Sequence, residues 1–126
     1  MSRLILDTGA LIAFDRGDVR VRALLTAARR LGMEITTTAP VVGQAWRDGR
    51  QQALLATLLR ALHVRAPDGV AARQAGELLA RARRDDIVDA LVARLARDGD
   101  TVLTSDVGDL NALLTAAGTN ATVQRA

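Results

Sequence analysis

Leu4-Ile5-Leu6-Asp7-Thr8-Gly9-Ala10 sets three branched aliphatic residues directly before a carboxylate. An apolar run without alternation reads as a strand buried on both faces, the kind found in parallel sheets covered by helices. Asp7 then stands at the carboxyl end of that strand, where open α/β sheets form their ligand crevices. Thr8-Gly9 turns the chain into a helix over Ala10 to Phe14. Asp and Thr are also favoured helix caps, so this stretch alone fits a cap as well as a site.

Outward from it, strand and helix signals alternate almost to the end. Val21, Leu24, Leu25, Ala28 and Leu31 form the apolar stripe of a helix over Val19 to Leu31, which Gly32 ends. Glu34 to Thr38 is β-branched and reads as a second strand. Pro40 suits the first turn of a helix reaching Trp46. A break at Asp48-Gly49 leads to a helix over Gln51 to Leu62, a short strand His63 to Arg65, and a turn at Pro67-Asp68-Gly69. A helix from Val70 to Arg83 follows, then one from near Asp85 to Arg97. Thr101 to Thr104 reads as a strand, 107 to 117 as a helix, and Ala121 to Gln124 as a last strand. This alternation predicts an α/β domain with three α/β/α layers and a central, mostly parallel sheet of four to five strands. There is no internal repeat or linker, so residues 1–126 are expected to form a single domain.

Composition narrows the function classes. Hydrophobic residues make up 49% and charged residues 25% of the 126, a globular balance in a chain long enough for its own core. The absence of cysteine excludes disulfides and thiolate-held zinc. An export signal needs an unbroken apolar stretch, and Asp7 interrupts this one; no segment approaches the roughly 18 apolar residues of a membrane span. A soluble, cytoplasmic protein without a membrane role is expected. All 17 basic residues are Arg, against 14 acids, giving a net charge of +3. Arg favours phosphate through its planar fork, which suits a polyanionic partner. Without Lys, Schiff-base chemistry is excluded.

The acids form the chemical pattern. Asp7 and Asp106 each follow an apolar strand, and in a parallel sheet such ends share one edge. They face each other if the two strands are neighbours. In the helix starting near Asp85, the stripe Ile87, Val88, Leu91, Val92 and Leu95 puts Asp89 on its flank and Asp86 nearly opposite. Asp89 is thus the better placed to line a crevice, while Asp85 and Asp86 fit a cap and a first-turn acid. Asp109 lies one turn after Asp106 and either shares its face or is solvated. Carboxylates gathered at one point repel unless a cation joins them, and hard oxygen donors select Mg²⁺ or Mn²⁺. With ions about 4 Å apart, such a site activates water for phosphodiester hydrolysis and needs no histidine base. His63, Phe14 and Trp46 fit structural roles.

Three segments together, Leu6-Asp7-Thr8-Gly9-Ala10-Leu11, Asp89-Ala90-Leu91-Val92-Ala93 and Leu103-Thr104-Ser105-Asp106 with Asp109-Leu110, resemble in order and spacing the PIN-domain ribonucleases, especially the VapC-type toxins of bacterial toxin-antitoxin pairs. The resemblance implies a PIN-like fold, Mg²⁺-dependent endoribonuclease activity on RNA, a homodimer, and inhibition by a cognate antitoxin. By position it makes Asp7, Asp89 and Asp106 the catalytic metal ligands and Asp109 or Asp86 accessory acids. Thr8 and Ser105 would orient ligands or water. One position departs from the pattern: where the family usually carries a metal-binding Glu, this chain has Gln44, which keeps a carbonyl oxygen and loses the charge.

Other folds that end a parallel strand in Asp fit less well. Phosphoryl-accepting receiver domains and haloacid-dehalogenase-like phosphatases rely on a lysine, and the latter on a second Asp where Gly9 stands. A dinucleotide-binding domain lacks its Gly-x-Gly-x-x-Gly turn. The alternative from another class is a catalytically inactive PIN-like domain that binds RNA or a protein partner, and Gln44 is its best support.

Overall fold

The computed structural model describes residues 2–126. Five strands form one sheet: β1 (Arg3–Leu6), β2 (Glu34–Thr38), β3 (His63–Arg65), β4 (Thr101–Thr104) and β5 (Thr122–Arg125). All neighbours are parallel, in the order β3-β2-β1-β4-β5. The chain moves outward from β1 to β3, then crosses back to β4 and on to β5. With right-handed crossovers this reversal sends the helices of the two halves to opposite faces. Accordingly α1 (Thr8–Asp15), α2 (Val19–Arg30), α3 (Ala39–Ala45) and α4 (Ala53–Ala61) make one layer, in which α1 packs against each of the other three. The other layer is α5 (Gly69–Ala82), α6 (Ile87–Leu95) and α7 (Val107–Ala117), each packed on the other two.

The three-layer α/β/α PIN-like arrangement is present, with the sheet entirely parallel. Ile5, Leu6, Val102 and Leu103 on the central strands are fully buried between Leu11 and Val41 of the first helical layer and Val92, Leu110 and Leu113 of the second. Unalternated apolar strands are what burial on both faces requires. Strand β2 instead buries three threonines. They tolerate the interior because their hydroxyls are used: Thr36 donates to His63 O at 2.9 Å, Thr37 to Leu6 O at 2.7 Å, and Thr38 accepts from Val41 N at 3.3 Å. The Thr37 bond ties β2 to β1 immediately before Asp7.

Several boundaries differ from the sequence expectation, each for a local reason. Helix α1 begins at Thr8 rather than Ala10, because the Asp7 carbonyl already accepts from Ala10 N and Leu11 N. Helix α4 begins at Ala53 rather than Gln51, since the Gln52 side chain is spent on the preceding loop, accepting from Arg47 N and Asp48 N. Helix α6 stops at Leu95 rather than Arg97. There the chain turns so that Asp100 accepts from Arg97 N and from Arg3, whose Nη2 also reaches Leu95 O. The last strand spans Thr122–Arg125, one residue later than expected. Among the described residues, no helix is long and apolar enough to cross a membrane.

Candidate metal centre

A strand order that reverses at β1 leaves a crevice outside the carboxyl ends of β1 and β4. Asp7 follows β1 and its N–H donates to Leu103 O of β4 at 3.0 Å, so the first acid is already anchored to the second strand. Asp106 follows β4 and stands at the N-terminus of α7. Asp89 enters from the first turn of α6. One carboxylate oxygen from each of these three lies within 4.8 Å of the other two. Asp7 and Asp89 are buried, at 1% and 3% exposure, while Asp106 is open to solvent.

The position of Asp7 is that of a helix cap, but its side chain makes no capping bond. Oδ2 accepts the Thr104 hydroxyl at 2.7 Å, and Oδ1 is buried without a partner among the described residues. Asp89 Oδ2 is in the same condition. A buried carboxylate oxygen without a partner costs stability unless the acid is protonated or a cation meets it. Burial raises the pKa of Asp7, opposed by the Thr104 hydrogen bond. For Asp89, burial and then the negative charges of Asp7, Asp86, Asp106 and Asp109 push the pKa up to about 8. Two unpartnered buried oxygens beside a third, accessible carboxylate match the donor set of a hard divalent ion. The residues fit Mg²⁺ or Mn²⁺.

The expected accessory residues lie around this group. Asp86 caps α6, its Oδ1 accepting from Val88 N at 2.9 Å and Asp89 N at 3.1 Å. It does not join the three-carboxylate group, and its cap sets the turn that carries Asp89. Asp109 is also outside the group, paired with Arg84 at 3.0 Å on the surface. Both still add to the negative field on Asp89. Thr8 donates its hydroxyl to Gln44 Oε1 at 2.5 Å, so Gln44 sits against the neighbour of Asp7. Ser105 packs over Gly9, where a Cβ would fall 2.2 Å from its Oγ.

Thr104 was not singled out by the sequence reading. It is fully buried, donates to Asp7 and accepts from Asp106 N at 2.9 Å. The available signal was a polar residue at the buried end of an apolar strand, two residues before an acid. Arg3 and Asp100 were missed as well, and they form a buried ion pair at 2.9 Å at the opposite edge of the sheet.

No family model matches the chain, and no curated protein does. Solved structures do. One is a chain of VapBC from Salmonella typhimurium in a DNA-bound crystal structure, 18% identical, with a TM-score of 0.72 over 98% of each chain. Another is a chain of VapBC2 from Rickettsia felis, crystallised with a DNA fragment from its promoter, 12% identical, with a TM-score of 0.68 over 98% of each chain. At these identities the likeness is one of fold: along nearly its whole length, this chain has the three-layer PIN-like fold of a chain in two VapBC complexes.

Proposed function

We propose that the protein is a divalent-metal-dependent endoribonuclease and the toxin of a toxin-antitoxin pair. The observation that carries this is the convergence of Asp7, Asp89 and Asp106 at the switch point of a PIN-like sheet, with two buried oxygens lacking partners. These three residues would hold the ion. Bound there, Mg²⁺ or Mn²⁺ supplies the polarisation of a phosphate oxygen and a lowered pKa for attacking water.

The chain's own groups hold the acids in place. Thr104 fixes the carboxylate of Asp7 and the backbone of Asp106 through one hydroxyl. The Asp86 cap orients the first turn of α6 and with it Asp89. Asp106 is the exposed member, which leaves the approach of substrate to its side. Ser105 and Thr8 are close enough in the chain to orient water or ligands there. His63 lies on β3, the edge strand, two strands from β1, and is given no catalytic role.

The likeness to chains of VapBC complexes supports an antitoxin as protein partner, and the sequence resemblance supports a homodimer acting as one domain in the cytoplasm. The test is RNA cleavage by purified protein. Cleavage with Mg²⁺, its loss in chelator and its loss in Asp7→Asn are expected; equal cleavage by Asp7→Asn would overturn the assignment.

A second reading, an inactive domain that binds RNA or a protein, is favoured by one observation: exposed Gln44 supplies no charge at the place of the usual acid. Wild-type protein that binds RNA without cleaving it, and gains cleavage with Gln44→Glu, would establish that reading.

A further inference from the structure

The acids of the metal centre repel a polyanion, so a phosphodiester substrate needs cations elsewhere to hold it. A cleft of about 260 Å³ between α6 and the β2-β3 side of the sheet supplies them. Four arginines from separate parts of the chain line it: Arg3 on β1, Arg65 on β3, Arg94 on α6 and Arg97 just beyond. Thr38 also lines it, and Asp68 is its one acid.

Two of the four charges, those of Arg94 and Arg97, are free for a ligand. Arg3 is cancelled by Asp100, and Arg65 touches Glu34 only at 3.5 Å. Among the described residues, Arg94 and Arg97 have no acidic partner within ion-pair distance; Arg94 donates to neutral Gln74 at 2.6 Å. Asp68 already accepts from Ala71 N as the cap of α5. Arg30 on α2 is likewise exposed but stands apart from the lining of this cleft.

The cleft also lies beside the metal centre, with Thr38 and Leu91 in its lining. Carrying on the register Ile5 with Thr36 puts Asp7 beside Thr38, about 4.8 Å away at ordinary strand spacing. Helix α6 contributes to both, Asp89 to the triad and Leu91, Arg94 and Leu95 to the cleft, with Arg94 about 140° round the helix from Asp89. We propose that this arginine cleft binds backbone phosphates of single-stranded RNA beyond the bond held at the triad. The choice of RNA as ligand rests on the ribonuclease reading; the anion site rests on the cleft. An acidic peptide would match the charge, but a place beside a metal-binding triad favours a phosphodiester chain.

The test is fluorescence anisotropy of a labelled single-stranded RNA 12-mer across a salt series, in chelator, so that binding is read apart from cleavage. Each phosphate contact in a single strand contributes about 0.7 to the slope of log Kd against log salt. Arg94→Gln/Arg97→Gln should lower that slope by about 1.4, and Arg65→Gln, on another element, by about 0.7. Arg30→Gln on α2 should leave it unchanged. An unchanged slope in the cleft variants, or an equal fall in the α2 variant, overturns the proposal. So does an acidic peptide of equal charge that binds more tightly than RNA and is lost in the same cleft variants. Cleavage with an unchanged slope removes the cleft alone, whereas slope loss without any cleavage removes the nuclease reading and leaves the cleft.

Discussion

The hydroxyl of Thr104 donates to Oδ2 of Asp7 at 2.7 Å, joining two residues that are 97 apart in the chain. The Thr104 hydroxyl oxygen in turn accepts from Asp106 N at 2.9 Å, so one buried side chain spans the ends of both central strands. It fixes which Asp7 oxygen is left for a cation: Oδ1, the one without a partner.

Thr104→Val keeps the shape and removes both bonds. Hydrogen bonds to charged groups contribute about 1.5–3 kcal/mol, and partners of metal ligands typically account for 10–100-fold in affinity or activity. The variant is therefore expected to fold with reduced stability and to lose roughly 10–100-fold in RNA cleavage. Unfolding in urea with parallel cleavage assays checks this; unchanged cleavage would show that Asp7 needs no orientation from Thr104.

Metal and acidity act on the same oxygens. Asp89 has a folded pKa near 8 against an ordinary 3.8, so between these values the unfolded chain binds fewer protons than the folded one. Stability in chelator should consequently fall as pH rises from about 4 to about 8 and level off above. Asp89→Asn should flatten that fall and raise the melting temperature at pH 8 in chelator by several degrees, roughly 3–8 °C for a gain of about 1–2 kcal/mol. Mg²⁺ or Mn²⁺ should raise the melting temperature of the wild type and leave Asp89→Asn nearly unmoved. A melting temperature that is lower in Asp89→Asn would argue against repulsion among the three acids.

At the other edge of the sheet the sign is reversed. Burial raises the pKa of Asp100, but hydrogen bonds from Arg97 N and from Arg3, with the guanidinium charge, outweigh it and leave the group below 3.8. The stabilisation is present above about pH 4 and is lost as pH falls through the folded value. Arg3→Leu strands Asp100 as a buried charge, which costs about 3–5 kcal/mol or roughly 10–15 °C in melting temperature. The rise caused by Mg²⁺ should survive, because this pair lies away from the triad. Calorimetry with and without metal separates the two effects.

Gly9 permits the β1 and β4 turns to touch. A Cβ there would lie 2.2 Å from Ser105 Oγ and 2.7 Å from Ser105 Cβ, too close for either to remain in place. Gly9→Ala should cost about 1–3 kcal/mol as an overpacked contact and weaken metal-induced stabilisation by displacing the segment that carries Asp106. Removing the obstructing side chain in Gly9→Ala/Ser105→Gly should restore most of both. If the double variant is no better than the single one, the close approach is not what sets the distance between the strand ends.

Much of the architecture was readable before the fold was known. The apolar runs at Leu4 to Leu6 and Val102 to Leu103 are buried on both faces, and no alternation is needed to mark them. Helical stripes such as Val21, Leu25 and Ala28 follow from the 3.6-residue period alone. Errors collected where a side chain leaves its helix to serve a distant group, as Gln52 and the Leu95–Asp100 segment do. Asp89 was favoured over Asp86 by its angle on the helix; the cap of α6 is Asp86, one residue later than the expected order of Asp85 as cap and Asp86 as first-turn acid.

By itself, then, the sequence determined which segments are strands and helices and which acids end the strands, because burial and backbone period act between near neighbours in the chain. Only the tertiary structure decided that β1 lies beside β4, that Thr104 links Asp7 to Asp106, that Arg3 is neutralised by Asp100, and that four arginines meet in one cleft. Those relations join residues up to 97 positions apart. Strand order and helix-layer packing set such distances, and neither leaves a periodic trace in the local sequence.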